Sequence, residues 1–205
     1  MIEVDRSGPV WTITLNRPDK ANALTAEMLS DLADAADSAV EAKAVILTGM
    51  GKVFSAGADL DAAREGLATS PDWERLSTAI AALPGLTIAA LNGTLAGGAT
   101  GMALACDLRI AVPSASFFYP VMKLGYLPQP SDPQRMAALI GPARTKLVFL
   151  AGQKLTAQTA LEFGLIDEIV CEGSVIVRAK ALCANISAAD PKTAQSIKAL
   201  CQPRQ

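Results

Sequence analysis

The stretch from Leu76 to Cys106 carries no charged side chain, which limits how the middle of the chain can fold. A run of this length either crosses a membrane or lies in the core of a domain. Pro84-Gly85 and Asn92-Gly93 interrupt it, and such dipeptides are typical of turns. The run therefore predicts a buried strand, a glycine-rich turn at Gly97-Gly98 and a buried helix, with a membrane span as the less consistent alternative.

Strand and helix patterns alternate on both sides of this run. Val10–Leu15 and Ala44–Thr48 have strand character, and Thr25 lies where it can cap a helix. This alternation predicts an α/β fold with crossover connections, divided into a core at 1–140 and a helical C-terminal region at 141–205. The predicted helices beyond the first are 72–82, 133–140, 143–150, 157–163, 174–187 and 191–200, and Gly164 is predicted to end the fourth of them.

The chain of 205 residues contains no histidine, which excludes Ser-His-Asp and Cys-His catalysis and any metal site that needs imidazole. A formal net charge of −2 and 4% aromatic residues argue against nucleic-acid binding. The four cysteines form no C-x-x-C pair, so we expect neither a disulfide framework nor a metal centre. A reduced, cytoplasmic location is the simplest interpretation.

Four segments of the chain carry the clearest motifs. They are Leu15–Leu24, Phe54–Leu60, Asn92–Gly98 and Ala157–Ile166. In this order and spacing they resemble the crotonase (enoyl-CoA hydratase/isomerase) superfamily, over nearly the whole chain. The resemblance implies a spiral of ββα repeats followed by a helical region, and an acyl-CoA ligand from fatty acid metabolism.

The resemblance also implies where that ligand binds. The backbone N–H groups of Ala58 and Gly98 are expected to form an oxyanion hole for the thioester oxygen. Small residues leave such N–H groups accessible, and a helix that starts at Gly97-Gly98 adds its positive end. Coenzyme A is expected as part of the substrate, with no permanently bound cofactor. The positions implied for contact with coenzyme A are Lys20, Ala21, Ala56, Asp59 and Leu60, although Asp59 also has the position of a helix cap.

Two positions depart from the pattern of the family. Hydratases of this family use two glutamates, and the matching positions here are Gly101 and Val121. Neither residue can carry a proton, so simple hydration and double-bond isomerisation are not expected from these positions. Gly101 and Val121, together with Pro120, are instead expected in the substrate pocket, where they open space for a larger acyl group or a water.

Tyr119 is our candidate for a replacement acid or base. It precedes Val121 by two residues and faces the same way if this segment is extended. The alternative is a half-buried tyrosine with its hydroxyl in water. Lys123 and Tyr126 are weaker candidates, and Asp132, followed by Pro133, is interpreted as a helix cap.

Two classes of function remain open from the sequence. One is an enzyme that stabilises an enolate of an acyl-CoA; the other is a non-catalytic CoA-binding or assembly subunit. The resemblance implies a homotrimer or hexamer. It also implies further helices after about residue 200, so the chain ending at Gln205 is expected to leave the adenine end of coenzyme A more exposed.

Overall fold

The computed structural model describes residues 1–201. Within these residues the chain forms ten strands and ten α-helices, with short 3₁₀ helices at 18–20, 39–41, 67–69 and 97–99. The strands are β1 (Ile2–Asp5), β2 (Val10–Leu15), β3 (Ala44–Gly49), β4 (Val53–Ser55), β5 (Leu86–Leu91), β6 (Thr94–Ala96), β7 (Leu108–Ala111), β8 (Ser116–Phe118), β9 (Leu155–Thr156) and β10 (Glu168–Ile169). The helices are α1 (Ala26–Ser38), α2 (Leu60–Arg64), α3 (Asp72–Ala82), α4 (Thr100–Leu104), α5 (Val121–Leu124), α6 (Asp132–Phe149), α7 (Ala157–Phe163), α8 (Val175–Leu182), α9 (Ala184–Ala188) and α10 (Pro191–Cys201).

The strands form two sheets, one of six strands and one of four. The larger has the order β1-β2-β3-β5-β7-β10 and is parallel except for the β1–β2 pair. The smaller has the order β4-β6-β8-β9 and is parallel except for the β8–β9 pair. The repeats that begin at β3, β5 and β7 each add one strand to the larger sheet, one to the smaller sheet and then helix, whereas β1 and β2 both join the larger sheet before α1. This order confirms the predicted spiral of ββα units.

This spiral determines where the loops meet. Strands β4, β6 and β8 are parallel neighbours, so their carboxyl ends lie at one edge of the smaller sheet. In α/β folds, ligands bind outside the carboxyl ends of parallel strands. The segments that leave this edge begin at Ala56, Gly97 and Tyr119, which belong to three of the regions singled out in the sequence.

The core explains the uncharged run. The central strands β3 and β5 are buried along nearly their whole length, as expected of parallel strands covered on both faces. All five residues of α4 are buried as well. The run therefore contains the predicted buried strand, glycine turn and buried helix, plus the unpredicted short strand β6. Within residues 1–201 no helix is long and apolar enough to cross a membrane.

Local signals set several boundaries correctly. Thr25 caps α1 by accepting a hydrogen bond from the Met28 N–H, and α3 has the predicted bounds. Gly164 ends α7 in the left-handed conformation (φ 84°). Gly141 (φ 79°) bends α6 between the two helices predicted there, next to the proposed boundary at 140/141.

The region 141–201 also contributes strands, which the sequence did not predict. β9 pairs with β8, and β10 pairs with β7, so both sheets extend into this region. Residues 202–205 of the region predicted at 141–205 lie outside the described part of the chain.

Candidate functional site

An apolar cavity of about 240 Å³ opens at the carboxyl edge of β4, β6 and β8. Its walls come from the loop after β4, the 3₁₀ turn after β6, the segment after β8 and the end of the 67–69 turn. None of the lining residues carries a charge. They are Ala56, Ala58, Leu60, Ala63, Ala68, Trp73, Ala96, Gly97, Gly98, Phe118, Tyr119, Pro120, Val121, Leu124, Tyr126, Leu127 and Gln129.

The two glycine-containing turns at this edge are in direct contact. Gly57 has φ 93°, and a Cβ built on it would lie 2.9 Å from the carbonyl oxygen of Ala96. Only glycine allows both this backbone conformation and this approach. Gly57 therefore holds the turn that bears Ala58 against the turn that bears Gly98.

Ala58 and Gly98, the residues expected to form the oxyanion hole, both line the cavity. Leu24 forms a parallel bridge to Ala58, in which its N–H donates to the Gly57 carbonyl and its carbonyl accepts from the Asp59 N–H. Gly98 lies in the first turn of the 97–99 helix, where N–H groups have no partner within the helix. Within residues 1–201 neither N–H donates to another protein group.

The turns implied for coenzyme A also lie next to each other. The N–H of Ala56 donates to the carbonyl of Ala21 at 3.0 Å, which joins the Lys20-Ala21 turn to the loop after β4. Asn22, which is buried, ties this turn to the loop between β3 and β4 through its side-chain amide bonds to Met50 and Val53. The Lys20 side chain is exposed beside this junction.

Asp59 caps α2, as its position in the sequence indicated. One carboxylate oxygen accepts from the N–H groups of Asp61 and Ala62, and the other pairs with Arg17 at 2.8 Å. The Arg17 hydrogen bond and the helix N–H groups hold the pKa of this carboxyl below its usual value. Asp59 does not line the cavity, whereas Leu60 does and is exposed at its mouth.

Tyr119 lies in the cavity wall, and its hydroxyl is directed at the buried Asp132 carboxylate. The hydroxyl donates to Oδ2 of Asp132 at 2.9 Å, and the ring packs on Phe149 with 5.0 Å between the centroids. Tyr119 is only 4% exposed, so the alternative of a hydroxyl in water is wrong. Burial, and then the neighbouring Asp132 carboxylate, raise the Tyr119 pKa above its usual value.

Asp132 does not cap α6, contrary to our interpretation of the Asp132-Pro133 sequence. Ser131 has the capping position, and Asp132 is completely buried as the first helical residue. Its Oδ1 has no hydrogen-bond partner within residues 1–201. Burial raises the Asp132 pKa to about 7, although the Tyr119 hydrogen bond and the charge of Arg135 oppose this shift.

Gly101, the third residue predicted for the substrate pocket, does not line this cavity. A Cβ built on Gly101 would lie 2.7 Å from Oδ1 of Asp132. The space beside Gly101 is therefore filled by the Asp132 carboxylate and is not open to an acyl group. Sequence reasoning missed this contact because no local pattern links residues on α4 and α6.

Pro120 and Val121 line the cavity next to Tyr119. The segment is not extended throughout, because the chain turns into α5 at Val121. Tyr126 also lines the cavity and is 40% exposed, while Lys123 is exposed and does not line it.

Trp73 is a wall residue that the sequence did not reveal. Its indole N–H donates to the carbonyl of Leu67 at 2.7 Å, and a Cβ on Gly98 would lie 3.2 Å from its ring. Gly98 thus packs against an aromatic surface that leaves little room for a side chain. The apolar periodicity of α3 includes Trp73, but that pattern fits an ordinary core residue and does not distinguish a cavity wall.

No group of three or more cysteine, histidine or acidic side chains that could hold a metal ion occurs in the described part of the chain.

Comparison with known proteins shows the family of this chain. The family model described as enoyl-CoA hydratase/isomerase matches residues 5–203. YngF of Bacillus subtilis, which is named for the same family, is 38% identical over 198 residues, covering 91% of this chain and 75% of YngF.

Two solved structures share the fold. Pseudomonas aeruginosa DspI superposes with a TM-score of 0.90 at 32% identity, covering 98% of this chain and 86% of DspI. An enoyl-CoA hydratase from Bacillus anthracis superposes with a TM-score of 0.87 at 33% identity, covering 97% and 81% of the two chains. The chain therefore belongs to the enoyl-CoA hydratase/isomerase family of the crotonase superfamily.

Proposed function

We propose that this protein is an enzyme that binds an acyl-CoA thioester in the cavity and stabilises its enolate. The observation that carries this proposal is that Ala58 and Gly98 both line one apolar cavity and that, within residues 1–201, their backbone N–H groups lack protein acceptors. Fixed donors aimed at a developing negative charge stabilise it strongly, because they need no reorganisation during the reaction. Both donors lie on turns held by the packing of Gly57 against Ala96, so their geometry is set before substrate binds.

The lining of the cavity supports an acyl chain as the occupant. Leu60, Phe118, Leu124 and Leu127 supply apolar surface, and the lining carries no charge. Burying an acyl chain against such surface contributes roughly 0.8 kcal/mol for each methylene. The exposed Lys20, beside the Ala21–Ala56 junction, is proposed to approach the phosphates of coenzyme A.

Paired ligands test the two N–H donors directly. Butanoyl-CoA and S-butyl-CoA have the same length, but the thioether lacks the carbonyl oxygen. Two hydrogen bonds of about 1 kcal/mol each predict that the thioester binds about thirtyfold more tightly, measured by calorimetric titration. Equal affinities for the two ligands would show that Ala58 and Gly98 do not hold the oxygen.

Turnover separates the enzyme from a non-catalytic subunit. A 3-enoyl-CoA has an acidic α-proton, so an enolate-stabilising site should convert it to the conjugated 2-enoyl-CoA, which is followed by its ultraviolet absorbance. We expect little hydration of 2-butenoyl-CoA in the same buffer, because residues 101 and 121 are glycine and valine. Thioester-selective binding without conversion of any 3-enoyl-CoA chain length would identify a binding or assembly subunit instead.

A further inference from the structure

We propose that Tyr119 and Asp132 form the proton-transfer pair of this site, with the Asp132 carboxylate lying in the space that a side chain at residue 101 would need. The inference rests on the proposed function, since it identifies the group that removes and returns the α-proton. Tyr119 is the catalytic residue, because it lines the cavity. Asp132 acts through Tyr119, to which it is joined by a hydrogen bond of 2.9 Å.

The packing around Gly101 supports a carboxylate that reaches the site from a second helix. A Cβ on Gly101 would lie 2.7 Å from Oδ1 and 3.2 Å from Oδ2 of Asp132. Any side chain at 101 therefore excludes Asp132 in its present position, and Asp132 excludes any side chain at 101. The chain keeps one carboxyl group beside α4, but carries it on α6.

The unpaired carboxylate oxygen indicates that Asp132 has a role beyond stabilising the fold. A buried carboxylate normally has each oxygen hydrogen-bonded, because burying it unpaired is costly. Oδ2 accepts from Tyr119, but Oδ1 has no partner within residues 1–201. A carboxyl group that only positioned Tyr119 could be replaced by a neutral amide, whereas a proton acceptor must be ionisable.

The charged groups around Asp132 act on it in opposite directions. Glu74 on α3 accepts hydrogen bonds from the N–H and hydroxyl of Ser131 and raises the Asp132 pKa, while Arg135 on α6 lowers it. Burial is the largest influence and places the pKa at about 7. Burial and the Asp132 carboxylate raise the Tyr119 pKa well above its usual value, so a free Tyr119 phenolate is disfavoured. Concerted transfer to Asp132 avoids forming it.

The step balances without any other reactant. The α C–H bond of the acyl group breaks, its proton joins the Tyr119 oxygen, and the tyrosine proton moves to Oδ2 of Asp132. The electron pair stays on the substrate as an enolate, whose oxygen is held by the N–H groups of Ala58 and Gly98. Reversal at the γ carbon of a 3-enoyl-CoA returns the proton and moves the double bond into conjugation.

Three variants test the pair by steady-state kinetics with a 3-enoyl-CoA. Tyr119→Phe and Asp132→Asn should each lower kcat by about a hundredfold or more, with KM changed only a few-fold. The double variant should lose about as much as either single variant, because the two residues act as one unit. Wild-type turnover together with nearly unchanged kcat in both single variants would overturn the pair.

The pH profile separates proton transfer from mere positioning. In wild type, kcat/KM should rise with pH through an inflection near 7, as Asp132 loses its proton in the free enzyme. Asp132→Asn should abolish this inflection in its residual activity. The control is Glu74→Gln, which removes the neighbouring carboxylate and should keep the inflection at a somewhat lower pH. An inflection that survives in Asp132→Asn, or disappears in Glu74→Gln, assigns the proton to another group.

Moving the carboxylate provides a test that does not depend on loss of activity. Asp132→Gly should be inactive and should leave the space beside Gly101 empty. Adding Gly101→Glu to that variant places a carboxyl group back in the same space and should recover at least tenfold in kcat. Circular dichroism and thioester-over-thioether selectivity confirm that each variant folds and holds the thioester. No recovery in a folded, thioester-selective double variant contradicts the inference but leaves the oxyanion site intact.

Discussion

The buried Asp132 should make the stability of this protein depend on pH in a way that one substitution removes. Its pKa is about 7 in the folded state, against 3.8 when the carboxyl is unperturbed. Between these values the folded chain holds a proton that the unfolded chain releases, so stability falls as pH rises through this window. The slope is about 1.4 kcal/mol for each pH unit, and from pH 5 to pH 8 the loss amounts to about 2–3 kcal/mol.

Asp132→Asn isolates this contribution because its amide has nearly the same shape and no charge to bury. The amide oxygen can still accept from the Tyr119 hydroxyl, which now donates to Asp132 at 2.9 Å. The free energy of unfolding of the variant minus that of wild type should therefore increase by about 2–3 kcal/mol from pH 5 to pH 8, because wild type loses stability and the variant does not. All groups that titrate alike in both proteins cancel in this difference.

Urea denaturation followed by circular dichroism at pH 5, 6, 7 and 8 measures this difference, with constant ionic strength. Most of the change should occur below pH 7, since the effect is complete once the folded carboxyl has lost its proton. A difference that stays constant across the four pH values would refute the reasoning, whatever its size. It would mean that Asp132 is ionised throughout the range and that burial does not raise its pKa.

Two further predictions concern residues outside the cavity. Arg109 is 4% exposed and donates hydrogen bonds to backbone carbonyls near the ends of α4 and α7. Arg109→Met should leave these carbonyls unsatisfied and lower the free energy of unfolding by about 3 kcal/mol or more, measured by urea denaturation. An unchanged midpoint would contradict this role. Cys171 and Cys201 are exposed, whereas Cys106 and Cys183 are buried, and burial raises their pKa values to about 12 and about 11. A thiol reagent at pH 8 should therefore label only the exposed pair until the chain unfolds, which peptide mass mapping would show.

The elements that the sequence predicted well are those whose signals are local. α1 and α3 combine a helical apolar repeat with a clear start, and β2 and β5 are long enough to show strand character. The short strands β4, β6 and β8 have three residues each, too few for any periodicity. They exist because they pair with one another, and that pairing is a property of the assembled spiral.

The residues of the candidate site likewise divide into those with a local sequence signal and those whose environment depends on distant parts of the chain. Ala58 and Gly98 could be singled out because small-residue motifs indicate close backbone approaches, and both residues line the cavity. Asp132 was misread, since Asp-Pro at a helix start has a strong local explanation. Its actual environment depends on Tyr119 and Gly101, which come from other parts of the chain. No window of sequence around Asp132 contains that information.

The two halves of the proposed chemistry consequently differ in how freely evolution can move them. The N–H groups belong to backbone turns whose contact requires Gly57 and the parallel pairing of β4 with β6, so they cannot be supplied from elsewhere without rebuilding the edge. In the proposed mechanism the carboxyl group needs only to reach the Tyr119 hydroxyl, and Gly101 on α4 and Asp132 on α6 border the same space. In the proposed mechanism, glycine at position 101 is thus compatible with proton transfer because Asp132 on α6 supplies the carboxyl group. For this reason, a proton carrier in this chain must be sought among the side chains that surround Gly101, because the identity of residue 101 alone does not decide whether one is present.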